Sequence, residues 1–398
     1  MKTTTHHYIL QAPSTEAFKS LSAVEASGAA TIRARLPIIN GVAIETDEVR
    51  LGEVQALAER QGLRLIEDRR IGLLPDEQVG QPVSGLGPAF RGLDSWRAAT
   101  HTVAADKMWD KGVTGQGIGV AVIDTGVAPH KDLRGRIVAF HDVVNGRPDP
   151  YDDHGHGTHV SGLVAGDGAA SAGFIKGMAP SANIIGVKVL DGGGSGEFSD
   201  VIKGIQWAVD NKERYNIKVL NMSLGAYIET SYKDDPVVQA VEAAARAGIT
   251  PVVAAGNSGP GPSTVGTPGN APNAVSVAAV DDRGTPWRWD DRIALFSSRG
   301  PTAIDNEQKP DLAAPGVAVM SLKANSNGYV PMSGTSMASP IVAGAAALLS
   351  QAHPEATPAE IRDALMSTAH TLWGYNANTQ GKGCIDVEAA DKALPTKG

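Results

Sequence analysis

The sequence predicts an α/β protein: an open, mostly parallel sheet flanked by helices, preceded by a small α+β domain. Three observations predict it. From about Val103 onward, short apolar runs alternate with helical patterns, the look of parallel strands buried on both faces. Before residue 75 the chain carries its own closed set of strand and helix patterns. Between the two lies LPDEQVGQPVSGLGPAFRGL, residues 74–93, rich in Pro and Gly and without periodicity. The reading is a first domain over 1–74, a connecting region over 75–99 and a large domain over 100–398. A chain of 398 residues is long enough for two domains and a sizeable core.

Residues 7–11 read as a strand. Ser14 can cap a helix with Ala17, Phe18, Leu21 and Val24 on one face. Ile32, Ala34 and Leu36 alternate, and Asn40-Gly41 then separates Ile38-Ile39 from Val42-Ala43-Ile44, a hairpin signal. Asp47 can open a second helix with Leu51, Val54, Leu57 and Ala58 inward, and residues 63–66 form a last strand. The order βαββαβ is that of the ferredoxin-like split unit. In the large domain, 118–123, 184–189, 218–222, 250–255 and 274–280 read as strands, with helices over 199–211 and 236–247 between them.

Composition excludes several classes. The net charge of −8 argues against a nucleic-acid partner. No uninterrupted stretch of 18 apolar residues exists, so no membrane span is expected. The single cysteine, Cys384, rules out a disulfide framework within the chain and reads as a buried, inert thiol. The N-terminal MKTTTHHYILQAPSTE lacks the apolar core of a secretory leader. The expectation is a protein that stays inside the cell, or one exported by a leader since removed. A monomer is expected.

Four stretches carry chemistry. Asp124 ends the run IGVAVI, where open α/β sheets place their ligands, although an Asp before Thr125-Gly126 also suits a turn. DTG alone could suggest a paired-carboxylate protease, but that chemistry needs two such triplets and the chain has one. YDDHGHGTHVSGLVAG holds His154, His156 and His159. It lacks the HExxH pattern and a cysteine partner for zinc, so one histidine reads as a general base and another as structural. GTSMASP places Ser336 at the mouth of an apolar helix, where an N-cap is the plain reading. GQGIG at 115–119 precedes its strand and lacks the dinucleotide-binding form. A hydroxyl becomes a nucleophile when a histidine takes its proton and a carboxylate orients that histidine. Asp124, His156 and Ser336 supply these groups in the chain order Asp, His, Ser.

The stretches VAVIDTGV, HGHGTHVSG and SGTSMASP resemble the three active-site blocks of the subtilisin-like serine proteases. The likeness continues through APSANIIGVKVL, LNMSLGA, VVAAGNSGPGPSTVGTPG, FSSRGPT and KPDLAAPG, over nearly all of 100–398. It implies a subtilisin-like fold and a serine endopeptidase. In that scheme Asp124 orients, His156 is the base, Ser336 is the nucleophile and Asn257 belongs to the oxyanion hole. Gly194, Ser195 and Gly196 with Ser223, Leu224 and Gly225 would clamp an extended peptide. Gly266 would floor the pocket for the residue before the cut, which predicts a preference for large apolar residues there. Residues 1–74 resemble the family's propeptide, an intramolecular inhibitor and folding chaperone, removed by a cut between about 70 and 95. The protease would then be a self-processing zymogen acting on protein or peptide substrates, and a zymogen favours export. A catalytically silent binding protein on the same scaffold is the competing reading. No cofactor is required for the chemistry. The family's structural calcium would use Asp132, but the loop at 166–173 lacks the expected asparagine ligands, so the sequence argues against a tight site. Asp149, Asp152 and Asp153 read as a solvated acidic loop.

Overall fold

The computed structural model describes residues 5–15, 17, 27–74 and 95–395. In the N-terminal part, β1 (Thr5–Gln11), β2 (Thr31–Leu36), β3 (Gly41–Asp47) and β4 (Arg64–Glu67) form an antiparallel sheet in the order β2-β3-β1-β4. Helix α1 (Leu51–Gln61) buries Val54 and Ala58 against one face. The strand order is that of the ferredoxin-like unit. The expected first helix lies mostly outside the described residues; Ser14 Oγ accepts the Ala17 N–H at 3.2 Å at its start.

Two local expectations are corrected. Asn40-Gly41 does not close a two-residue hairpin. Leu36 pairs with Gly41, and Pro37–Ile39 form a single 3-10 turn ending at Asn40 with φ of 53°. Pro37 has no N–H to give a ladder, so the strand stops before it. Asp47 does not cap α1; its carboxylate holds the Arg50 N–H at 2.9 Å in the preceding turn.

Strand β3 explains why the small sheet does not stand alone. Val42, Ala43 and Ile44 are all buried, although alternate strand residues face opposite sides. Val42 and Ile44 meet α1, while Ala43, Ile9 and Leu36 pack into the core of the large domain. An antiparallel sheet with one wet face would not place apolar residues there.

The large domain is built on an eight-stranded sheet. Its path runs β13 (Arg292–Ile293), β12 (Val275–Asp281), β11 (Thr250–Ala254), β10 (Ile217–Met222), β6 (Gly119–Asp124), β8 (Asn183–Lys188), β7 (Ile137–Asp142), with β14 (Leu312–Pro315) also on β12. Every pairing is parallel except β12 with β13. Strand β6 is buried throughout. Val120 and Val122 face one layer, which contains α2 (His156–Ala165) and α5 (Thr335–Ala352); Ala121 and Ile123 face the other, with α3 (Phe198–Asp210) and α4 (Pro236–Arg246). The expected strands fall within a residue or so of those found. A helix over Ser95–Thr102 runs across the 99/100 boundary drawn from sequence. Among the described residues no helix is long and apolar enough to cross a membrane.

Candidate active site

Strand β6 delivers Asp124 to the carboxyl end of the sheet, fully buried, where the Thr125 N–H reaches its Oδ1 at 2.7 Å. The same oxygen lies 2.7 Å from His156 Nδ1, at the first residue of α2. A contact this short to a carboxylate places the proton on Nδ1 and leaves the lone pair of the neutral ring on Nε2. The approach is close because residue 157 is glycine: a Cβ there would collide with the Gly126 carbonyl.

The loop before α2 is held by Asp152, contrary to the solvated loop expected. Asp152 is 2 % exposed. Its Oδ1 accepts from Gly155 N–H at 2.7 Å, Thr125 Oγ1 at 2.9 Å and His154 N–H at 3.1 Å, and its Oδ2 from Thr158 N–H and Oγ1 at 2.8 and 2.7 Å. Burial works to raise its pKa, but these donors outweigh burial and hold it below the usual carboxylate value. Thr125 Oγ1 in turn accepts the Gly157 N–H at 2.9 Å, so one network fixes both the Asp124 turn and the start of α2. Asp153 pairs at 2.7 Å with the buried Lys188, and Asp149 is exposed.

The other histidines differ. His159 is fully buried and its Nε2–H faces the carbonyls of Val330 and Val319 at 3.0 and 3.2 Å. Burial, reinforced by the nearby His156, pulls its pKa down to about 3, so it stays neutral. His154 stands edge-on to His156 with ring centres 6.3 Å apart.

Ser336 is the second residue of α5, and its hydroxyl does not cap the helix. It donates to the Ser223 carbonyl at 3.3 Å. Ser223 Oγ donates to the Ser336 carbonyl at 2.9 Å. That carbonyl is available because Pro340, four residues on, has no N–H to offer it. Ser223 follows β10, whose Met222 pairs with Ile123 of β6. Register therefore brings Ser336 to the rim that carries Asp124. Across it, Asn257 Oδ1 accepts both the N–H and the Oγ1 hydroxyl of Thr335, each at 2.9 Å. This fixes the amide with Nδ2 turned the other way, buried and without an acceptor among the described residues.

The glycine-rich segments form a cleft with a strand already in it. β5 (Arg70–Gly72) pairs antiparallel with β9 (Ser195–Glu197), matching Arg70 with Glu197, Ile71 with Gly196 and Gly72 with Ser195. Leu73 N–H donates to the Gly194 carbonyl at 2.9 Å. On the other edge Gly72 and Gly225 exchange N–H···O bonds of 3.2 and 2.8 Å. Added side chains at Gly194 and Gly225 would strike Leu73 and Leu74. Leu224 turns into the core and contributes backbone only. Gly266 lies against the Ala226 carbonyl, beside the Ala226–Thr267 bridge that continues the Gly225 segment.

Asp132 has partners unlike those of a calcium ligand. Its Oδ1 accepts the Ala170 N–H at 2.7 Å and its Oδ2 the Tyr329 hydroxyl at 2.7 Å, while Arg136 bonds its backbone carbonyl. The loop at 166–173 thus gives it an N–H donor where a cation needs oxygens. These residues do not fit a calcium ion, and no group of three or more His, Cys, Asp or Glu side chains poised for a metal exists among the described residues.

An α/β protein with a carboxylate–imidazole pair at the carboxyl end of its parallel strands, and a serine at the mouth of an adjoining helix, is of the class arranged for nucleophilic serine chemistry. The chain belongs to the subtilase family, whose model matches residues 115–385. It is 45% identical over 295 residues to serine protease AprX of Bacillus subtilis (strain 168), which covers 69% of this chain and 66% of that protein. It is 38% identical over 291 residues to subtilisin DY of Bacillus licheniformis, covering 72% of this chain and 96% of that protein. Among solved structures it resembles fervidolysin from Fervidobacterium pennivorans, described as a keratinolytic enzyme related to subtilisin, with a TM-score of 0.76, 27% identity and coverage of 100% of this chain and 62% of that one. The chain thus spans somewhat under two thirds of the length of AprX and of fervidolysin.

Sequence reasoning missed Asp152, Ser223 Oγ and Thr335. A proline four residues after Ser336 was the one available signal: it frees a carbonyl that some side chain must satisfy.

Proposed function

We propose that this chain is a serine endopeptidase made as a self-inhibited zymogen. Ser336 Oγ attacks the scissile carbonyl and gives its proton to His156 Nε2, while Asp124 holds the ring and balances the imidazolium. The oxyanion meets Asn257 Nδ2 and the Ser336 N–H, donors set in place before reaction. His156 returns the proton to the departing amine, and water, activated by the same base, hydrolyses the acyl-enzyme. Residues 1–74 act as intramolecular inhibitor and folding aid, the catalytic domain takes most of 100–398, and cleavage is broad with a preference for large apolar residues before the cut.

The observation that carries this reading is the register of the tail. Gly72 lies opposite Gly225 in an antiparallel bridge and the Leu74 side chain reaches Gly225; carried on by two residues, that register sets Leu74 against Ser223, the residue whose carbonyl holds the Ser336 hydroxyl. Leu74 is buried there, a large apolar residue in the place of the one before a cut. The test is mass spectrometry of wild-type and Ser336→Ala protein after incubation, with sulfonyl fluoride labelling beside it. Wild type should split between residues 74 and 95 and take the label at Ser336. Ser336→Ala should do neither. An intact, unlabelled wild type would favour the silent binding protein.

A further inference from the structure

The contacts upstream of Leu74 differ sharply in quality. Arg70 is solvent-exposed and its guanidinium stands 3.9 Å from the half-exposed Asp191 with no other partner among the described residues, a pair of little worth. Arg69 is held from four sides. Its side chain is 16 % exposed, and Nη2 lies 2.7 Å from Oε1 of Glu229, whose own side chain is 60 % exposed, so the burial is on the arginine side. Nη2 also donates to the Tyr227 carbonyl at 2.9 Å. The guanidinium sits 5.2 Å from the centre of the buried Phe198 ring. The Arg69 carbonyl accepts the Phe198 N–H at 2.9 Å, at the first turn of α3. Every one of these partners belongs to the large domain, so the site persists when the tail leaves. Its components are those that recognise a guanidinium: an aromatic face, a carbonyl and a carboxylate.

We infer that Phe198, the Tyr227 carbonyl and Glu229 form a substrate subsite for arginine at the sixth position before the cut, counting Leu74 as the first. The inference rests on the peptidase reading above and deepens it: peptides with an arginine there are preferred substrates. The net charge of −8 adds a general bias toward cationic chains. Lysine fits less well, because a compact ammonium cannot stack on Phe198 and reach both oxygens at once.

The test uses the full chain, incubated until its hydrolysis rate is constant, and two chromogenic peptides. One is Arg-Arg-Ile-Gly-Leu-Leu-p-nitroanilide; the other has Ala in place of the first Arg. The arginine peptide should show a kcat/KM about threefold to tenfold higher, expressed mainly in KM, with the advantage shrinking in 1 M salt. In Glu229→Gln the ratio of the two peptides should fall toward one; reading the ratio removes any general loss of folding. Equal kcat/KM for both peptides in wild type overturns this inference alone, as does an advantage of the same size in Glu229→Gln. Cleavage of neither peptide overturns the peptidase reading and this inference with it.

Discussion

Ser223 and Ser336 are hydrogen-bonded in both directions: the Ser223 hydroxyl donates to the Ser336 carbonyl at 2.9 Å, and the Ser336 hydroxyl donates to the Ser223 carbonyl at 3.3 Å. The first bond replaces the helical one that Pro340 forbids. The second holds the proposed nucleophile beside the segment whose Gly225 bridges Gly72 of the N-terminal tail. Ser223 Oγ also accepts from Asn221 Nδ2 at 3.0 Å and touches Ser339 Oγ at 2.9 Å. Ser223→Ala removes the donor from a buried carbonyl, at a cost of about 1–3 kcal/mol. The expected outcome is a lower denaturation midpoint together with a kcat loss larger than the change in KM. Ser223→Thr should recover part of both.

Asn257 has two jobs on its two amide atoms. Oδ1 anchors Thr335, and Nδ2, buried without an acceptor among the described residues, is the proposed oxyanion donor. Asn257→Ala should lower kcat by about 10²–10³, the size known for one oxyanion donor of a subtilisin, with KM changed only a few-fold. Because the variant also takes the acceptor from Thr335, a modest loss of stability should accompany it. A kcat within threefold of wild type would remove Asn257 from the oxyanion role.

Asp152 makes acid stability a local question. Its pKa in the folded protein lies below the value of about 3.9 it has unfolded. A depressed carboxylate contributes stability that is present above the unfolded pKa and is lost as pH falls through the folded one. Asp152→Asn, measured on a Ser336→Ala background to prevent self-digestion, should therefore cost about 2–3 kcal/mol near pH 7, from lost charge-assisted hydrogen bonds. The deficit should shrink steadily below about pH 4. Denaturant midpoints at several pH values check both the size and the direction.

The fold was legible where periodicity is strong. Apolar runs such as GVAVID mark buried parallel strands because nothing else tolerates such a run between turn signals. Asp124, His156 and Ser336 are named from their motifs, their chain order and the family resemblance those motifs carry; in the structure His156 Nδ1 lies 2.7 Å from Asp124 Oδ1. What escaped depends on contacts distant in sequence. Ile39 reads as hairpin, yet it is buried against α4's domain, and the Gln206 side chain meets the neighbouring Ile38 N–H at 2.7 Å. Asp68 lies just past the last strand read at 63–66 and carries no local signal, yet it accepts the Ser199 N–H at 2.9 Å and so completes the start of α3 from another domain. Asp132 matches a ligand position by sequence, but Tyr329 and Ala170, each tens of residues away or more, decide what its oxygens do.

Asp291 gives a prediction of opposite sign to Asp152. It lies in the DDRGTPWRWDD segment, 8 % exposed, with neither carboxylate oxygen hydrogen-bonded among the described residues. Burial, then the like charges of Asp282 and Asp290, push its pKa up to about 7. Arg288 pulls the other way by less than these, its guanidinium engaged with Asp386 at 3.0 Å and with the Thr102 carbonyl at 2.9 Å. A raised carboxyl pKa means the folded protein binds a proton that the unfolded chain has released between about pH 4 and pH 7. Stability from this group is thus present at low pH and lost as pH rises toward 7. Asp291→Asn removes the charge while keeping the shape. On the Ser336→Ala background it should raise stability by roughly 2 kcal/mol at pH 8, and by little or nothing at pH 4, where the carboxyl is already neutral when folded. Thermal midpoints at the two pH values decide it: an equal shift at both would place the effect in packing, and a loss at pH 8 would mean the ionised carboxylate is held by a partner after all.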